Sequence, residues 1–377
     1  MSRYHNPVRI TFASGALSQL RGSVEAALTS PGRVLVLHRG QGFESSPAFQ
    51  TIRQQLAGHQ VLDLPFSGSN PGLTDLLDLS HDAGDFDLIV AIGGGSILDL
   101  GKILAVTRGI PLDSAAAVRR MISSKIFADN ALACPWIGVP TTSGTGSEVT
   151  PWASVWDREE NRKLSFDHPC LFAHSAIIDP ELTLSLPLRP TVSTALDALC
   201  HATEAYWAKP SSPLNRVHSL AAIALIRGHL EALIDDPGNP FLREKIALGS
   251  LEAGLAFSAT RTTACHSISY PLTLQLGLDH GVATSLSLAA VLDLNRGALA
   301  EPEKLWRALG SDSSRDLHDF VCRCLSKAGF GSRLRDYGAR PEDIEAVVAG
   351  AFTKGRMDNN PVDLKPEDVR RLLEAIQ

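Results

Sequence analysis

The sequence predicts two domains of different class: an N-terminal α/β domain built on a parallel sheet, residues 1–182, and an all-helical C-terminal domain, residues 183–377. Three observations predict it. Short β-branched runs alternate with helical stretches through the first half, the pattern of a parallel sheet covered on both faces. A proline-bearing stretch, residues 182–190 (LTLSLPLRP), then interrupts that rhythm. Beyond Thr191 strand-like runs largely disappear and apolar residues recur at helical spacing. At 377 residues, 44% hydrophobic and 20% charged, the chain is long and apolar enough for two sizeable cores.

The elements follow in order. Residues 33–38 (RVLVLH) form the first strong strand, entering a turn at Arg39-Gly40. Residues 86–92 form a second, which runs straight into Gly93-Gly94-Gly95-Ser96 and a helix over 97–106. Residues 136–140 form a third, followed by the small polar loop 141–147, and residues 175–180 a fourth. In the second half residues 221–234, 241–257 and 341–352 carry helical periodicity, with breaks at Pro210, Pro213, Pro237-Gly238, Pro240 and Gly277. There is no internal repeat and no low-complexity tract.

Composition excludes several partners. The net charge is −6 and no Lys/Arg stripe occurs, which argues against nucleic acid. No uninterrupted apolar run reaches the ~18 residues of a membrane span. The N-terminal MSRYHNPVRITF lacks an apolar signal core, and six scattered cysteines form no CxxC pair. A reducing, cytoplasmic setting is expected.

Two loops point to a phosphate-bearing ligand. Gly93 to Ser96 lies between a buried strand and a helix, where free backbone N–H groups and the helix dipole attract phosphate. A bare strand–helix turn needs no such run of three glycines. Asp99 on the first turn either caps that helix or reaches a ribose hydroxyl. The 141–147 loop also follows a strand, so both fall at the carboxyl ends of a parallel sheet, and together they suit a nucleotide with two phosphates. His38 and Arg39 stand where an acid often holds ribose hydroxyls; an imidazole and a guanidinium there tolerate an extra 2′-phosphate, which predicts NADP acceptance.

Asp197 and His201 lie four residues apart in a stretch free of Gly and Pro, so both face one way on a helix. His266 and His280 sit in small or apolar surroundings further along. One carboxylate and three imidazoles suit Fe(II), Zn(II) or another borderline divalent ion.

At this point the chain resembles a family. GGGSILDLGK at 93–102, PTTSGTGSEVTP at 140–151, DALCHATEAYW at 197–207 and the pair His266 and His280, the latter in HGVA, look like the iron-containing (group III) alcohol dehydrogenases, over nearly the whole chain and in order. The resemblance implies a Rossmann-like domain followed by a helical one, the architecture also of dehydroquinate synthases, with the active site between them and a homodimeric assembly. It makes Asp197, His201, His266 and His280 the metal ligands. It places the pyrophosphate on Gly94, Gly95 and Ser96, and the rest of NAD(P) against Asn70, Asp99, Thr141, Thr142, Val149, Trp152 and Lys163. Two departures stand out. Many members carry a further histidine where this chain has Tyr270, so Tyr270 or water takes over the proton relay. A small residue is common four positions before the late Asn-Pro, where this chain has Arg356 before Asn360-Pro361. Arg356 and Arg261 are candidates for holding a small anionic aldehyde, since a guanidinium fork suits phosphate, phosphonate or carboxylate; the plainer alternative pairs Arg356 with Asp358. RTTACHSISYPLT at 261–273 looks most like the phosphonoacetaldehyde reductase branch.

The expected activity is therefore reduction of a small aldehyde, phosphonoacetaldehyde foremost, to a primary alcohol by NADPH or NADH with Fe(II) or Zn(II). Alternatives are a generic primary-alcohol or 1,3-propanediol-type dehydrogenase, a dehydroquinate-synthase-like cyclase acting on a sugar phosphate, and a nucleotide-binding module without catalysis.

Overall fold

The computed structural model describes residues 4–40 and 42–377. The chain divides into two compact units. One comprises Asn6–Thr142 and Ser147–Thr183; the other comprises Leu184–Gln377 together with Ser143–Gly146, Tyr4 and His5.

The first unit is a parallel sheet. Its strands are β1 (Arg9–Phe12), β2 (Arg33–His38), β3 (Gln60–Pro65), β4 (Leu88–Gly93), β5 (Trp136–Pro140) and β8 (Ser175–Ile178), in the order β1-β8-β5-β4-β2-β3. A separate antiparallel hairpin pairs β6 (Trp152–Asp157) with β7 (Arg162–Asp167). The four strands expected from the sequence are present. β4 is buried at every residue and β2 at all but its first, as central parallel strands must be. The edge strands β1 and β3 are mostly exposed or half-buried, so their apolar signal is diluted. Register sets what emerges at the carboxyl edge: His38 pairs with Ile92, and Gly93 with Pro140. The turns after β2, β4 and β5 therefore leave the sheet side by side.

The second unit is helical. Its central Leu188–Trp207 helix is buried at nearly every position from Thr191 to Trp207. Pro190 falls in the first turn, where its missing N–H is not needed. Pro213–Asp235, Pro240–Phe257, Ala264–Leu276 and His280–Asn295 pack around it. Pro213 and Pro240, read in the sequence as breaks, open two of these helices at the first position, with Ser212 and Asn239 capping them. Pro213–Asp235 is long and apolar enough, by length and composition, to cross a membrane. Its inner face, with Ile223, Ile226, Leu230 and Leu233, belongs to the core of this unit.

Candidate active site

In the sheet unit, the Gly95–Thr107 helix starts at the end of β4 with Gly94 as an extended N-cap and no side-chain cap. The Ile97 N–H bonds the Gly94 carbonyl at 3.0 Å, and those of Gly95 and Ser96 are left for a ligand. Two glycines here are steric requirements. A Cβ on Gly93 would lie 2.6 Å from Ile97, and one on Gly101 would lie 2.6 Å from the Cβ of Ala91. Gly94 faces the Thr142 side chain, and Thr141 donates its N–H to the Gly93 carbonyl at 2.9 Å. Asn70, at the left-handed φ of 51°, donates its N–H to Ser96 Oγ at 3.1 Å. Thus Asn70, Gly94, Gly95, Ser96, Thr141 and Thr142 are gathered at one carboxyl edge.

Other candidates have structural partners. Asp99 accepts from Ser147 Oγ at 2.6 Å and from the Ser154 N–H at 2.9 Å, so its carboxylate fastens the start of the hairpin rather than its own helix end. Trp152 offers its carbonyl to the fully buried Lys102 ammonium at 2.7 Å, and the Val149 carbonyl accepts from Asn6. Lys163 on β7 pairs across the hairpin with Trp156, its ammonium 5.6 Å from that ring. Arg39 is exposed. His38 departs from the expectation of an imidazole available to a 2′-phosphate. It is fully buried between Phe43 and Phe49, its Nδ1 accepts the Gly40 N–H, and burial lowers its pKa. The alternation of β2 turns this last residue inward, where burial disfavours the charged imidazole.

In the helical unit, Asp197, His201 and His266 are 4%, 6% and 2% exposed. One ligand atom from each lies within 4.8 Å of the other two. Asp197 Oδ1 is 3.4 Å from His266 Nε2 and 3.9 Å from His280 Nε2, and Asp197 Oδ2 is 3.8 Å from His201 Nδ1. The structure thus brings the four expected residues from three helices around one carboxylate. The His201 ring stacks between Phe257 and His266, at centroid distances of 4.1 and 4.4 Å. The loop Ser143–Gly146, read in the sequence with the sheet domain, packs here. His201 Nδ1 is 3.3 Å from the Gly144 carbonyl, and a Cβ on Gly144 would lie 2.5 Å from Thr194. The Tyr270 ring stacks on His280 at 6.1 Å.

The electrostatics suit a cation. Burial pushes the Asp197 carboxyl up, but His201, His280 and His266 outweigh it and hold it below the ordinary carboxylate range. Burial pulls His201 down to about 4, so it is neutral with a lone pair to donate. Burial also disfavours charge on His266, but Glu204 and Asp197 win and raise it. Two buried carboxylates, Asp197 and Glu204, thus face the two ring nitrogens of His266. Asp197 Oδ1 and His266 Nε2 are buried without a hydrogen-bond partner. A divalent ion satisfies both atoms and the residual negative charge, so the residues fit one.

Glu204 escaped the sequence reading. It is fully buried seven residues after Asp197, on the same helix face, and its Oε2 meets His266 Nδ1. An Asp-x3-His-x2-Glu spacing was the available signal. Arg261 and Arg356 both come close to Gly355. Arg261 adopts a left-handed φ of 64°, and a Cβ on Gly355 would lie 3.2 Å from its Nη1. Arg356 donates to the Gly355 carbonyl, while Asp358 accepts the Gly355 N–H. Arg261, Thr260, Gly355 and Asn359 line a cavity of about 230 Å³.

Comparison with known proteins bears out the resemblance. Residues 7–180 match the iron-containing alcohol dehydrogenase family, and residues 191–377 match the C-terminal domain of the same family. The phosphonoacetaldehyde reductase of Streptomyces viridochromogenes is 33% identical over 305 residues, 76% of this chain and 75% of that protein. A 4-hydroxybutyrate dehydrogenase of Cupriavidus necator is 30% identical over 96% of each chain. The crystal structure of a sulfoacetaldehyde reductase from Bifidobacterium kashiwanohense, in complex with NAD+, superimposes with a TM-score of 0.86 at 26% identity, covering 100% of this chain and 98% of that one. A parallel sheet with an open helix start at its carboxyl edge, a buried carboxylate ringed by imidazoles and matches over both halves lead to one conclusion: the chain belongs to the iron-containing alcohol dehydrogenase family, whose members are nicotinamide-dependent, metal-containing oxidoreductases.

Proposed function

We propose that this enzyme reduces a small anionic aldehyde, phosphonoacetaldehyde foremost, to its primary alcohol, with Asp197, His201, His266 and His280 as ligands of an Fe(II) or Zn(II) ion. The observation that carries the redox reading is the unsatisfied pair Asp197 Oδ1 and His266 Nε2 inside that cluster. When bound, the ion supplies Lewis acidity to the carbonyl and NAD(P)H supplies the hydride. The chain's own residues do the rest. Asp197 and the three imidazoles fix the ion's position. The N–H groups of Gly95 and Ser96 receive the pyrophosphate, with Asn70, Thr141 and Thr142 beside them and Asp99, Val149, Trp152 and Lys163 shaping the remainder of the nucleotide site. Tyr270, whose ring stacks on His280, donates the proton that the product oxygen needs. Arg39 is exposed just past β2 and its guanidinium suits a 2′-phosphate, which keeps NADPH acceptance in the reading. The chain works as a cytoplasmic homodimer.

The anionic preference rests on Arg261 and Arg356, both of which come close to Gly355. Guanidinium groups suit phosphonate, sulfonate and carboxylate alike, which is consistent with the range of acids among the relatives. The test is NADPH- and NADH-coupled reduction of phosphonoacetaldehyde, sulfoacetaldehyde, succinic semialdehyde and butanal by parent, Arg356→Ala and Arg261→Ala. The expected result is preference for an anionic aldehyde, falling on the order of 10–100-fold in either variant through loss of a charge-assisted pair. Equal kcat/KM for butanal and the anions in the parent would return the enzyme to the general alcohol dehydrogenases.

A further inference from the structure

Resting on the metal reading above, we propose that Glu204 is a positioning residue for the ion. It sets the tautomer and orientation of His266 while holding the start of the helix that carries His266. The two carboxylate oxygens divide the work. Oε2 takes the proton on His266 Nδ1. Oε1 accepts from the Thr263 N–H at 3.0 Å, Thr263 Oγ1 at 2.8 Å, the Cys265 N–H at 2.8 Å and the His266 N–H at 3.4 Å. These are the open donors at the N-terminus of Ala264–Leu276, whose N-cap Thr263 supplies no side-chain cap of its own. A neutral imidazole has one N–H and one lone pair. With Nδ1–H committed to Glu204, the lone pair must sit on Nε2, the atom that faces Asp197 Oδ1 at 3.4 Å. Asp197 and Glu204 therefore grip His266 from opposite ring nitrogens. Both come from the Leu188–Trp207 helix, two turns apart. The carboxylate also makes the imidazole a stronger donor toward a cation.

A plain capping role predicts something different, and two variants separate them. Glu204→Gln removes the charge and replaces one acceptor with a donor. Thr263→Val disturbs the helix start, including the Trp207 Nε1 contact to Thr263 Oγ1, without touching His266 Nδ1. Zinc(II) and cobalt(II) affinities are measured by chelator competition, with metal-free thermal unfolding alongside. For Glu204→Gln the expected loss of affinity is about 10–100-fold, with displaced visible bands in the cobalt form. Thr263→Val is expected to lower the metal-free Tm and keep affinity within about threefold. The proposal is overturned if Glu204→Gln also stays within threefold, or if both variants lose affinity equally. Should Glu204→Gln fail to fold, 15N–1H spectra of the zinc-loaded parent decide: a His266 protonated at Nε2 overturns the proposal. A parent that binds no divalent metal defeats the functional reading instead, and is told apart by its own stoichiometry.

Discussion

Gly281 is the residue whose replacement by alanine should be most damaging for its size. It follows His280 at the start of the His280–Asn295 helix, and a Cβ there would lie 1.8 Å from the Ser193 carbonyl oxygen. Ordinary contact begins near 3.4 Å, so the helix start must retreat by about 1.6 Å. The obstacle is main chain in the buried Leu188–Trp207 helix, so no rotamer change relieves it. Overpacking of this kind costs about 3 kcal/mol, the upper part of the usual range, against about 1 kcal/mol gained from alanine's helix propensity. The net loss of about 2 kcal/mol lowers Tm by roughly 4–8 °C in a unit of this size. The same retreat carries His280 away from Asp197, now 3.9 Å off, and should weaken metal binding on the order of tenfold. Differential scanning calorimetry of metal-free protein and metal titration by chelator competition read the two effects. Gly297→Ala is the control, since nothing lies within 4 Å of a Cβ there. Adding Ser193→Gly should not rescue Gly281→Ala, because the clashing atom is backbone. A Gly281→Ala protein with the parent's Tm and metal affinity would refute the steric argument.

Two further predictions concern the sheet unit. Burial raises the Glu148 carboxyl to about 7. The folded state therefore keeps a proton that the unfolded chain releases near its ordinary value of 4.5, and this contribution to stability, complete below 4.5, is lost as pH rises through 7. Glu148→Gln should accordingly gain relative to the parent across that window, by about 3 kcal/mol at the top of it; urea melts at several pH values showing a constant difference would contradict this. Gly101→Ala gains helix propensity but meets Ala91 at 2.6 Å, so it should destabilise by about 1–3 kcal/mol. Ala91→Gly should recover most of that in the double variant, and failure to do so in denaturant melts would place the conflict elsewhere.

How much could be read in advance depended on sequence distance and on burial. β2, β4 and β5 were legible because central parallel strands are continuous apolar runs bounded by glycine or proline. β1 and β3 were not, because half their residues face outward. The β6–β7 hairpin was missed because Arg158 to Asn161 offers no glycine at its turn; Asn161 takes the left-handed conformation instead, at φ 48°. Asp197 and His201 declared themselves by an i, i+4 spacing. His266 and His280 lie too far along the chain for spacing to speak; their small, apolar surroundings and ligand chemistry suggested the foursome, and the family resemblance then implied it. Glu204 was passed over because it was read as part of a helical stretch rather than as a third member of one face. His38 was misplaced because a strand's last residue can face either way, and only the packing of Phe43 and Phe49 decides which.

The burial of the Leu188–Trp207 helix has a kinetic consequence. Its amides are protected until the whole helical unit opens, so hydrogen exchange there should track global unfolding. Asp197, His201 and Glu204 ride on that slow segment. His280 sits at the first position of its own helix, with 22% of its side chain exposed. An ion held as proposed would therefore meet a lopsided site, with three ligands in buried helix and one at an exposed helix start. Chelator-driven release should then begin at the His280 end, and exchange of one ion for another should be slow enough to follow by hand mixing.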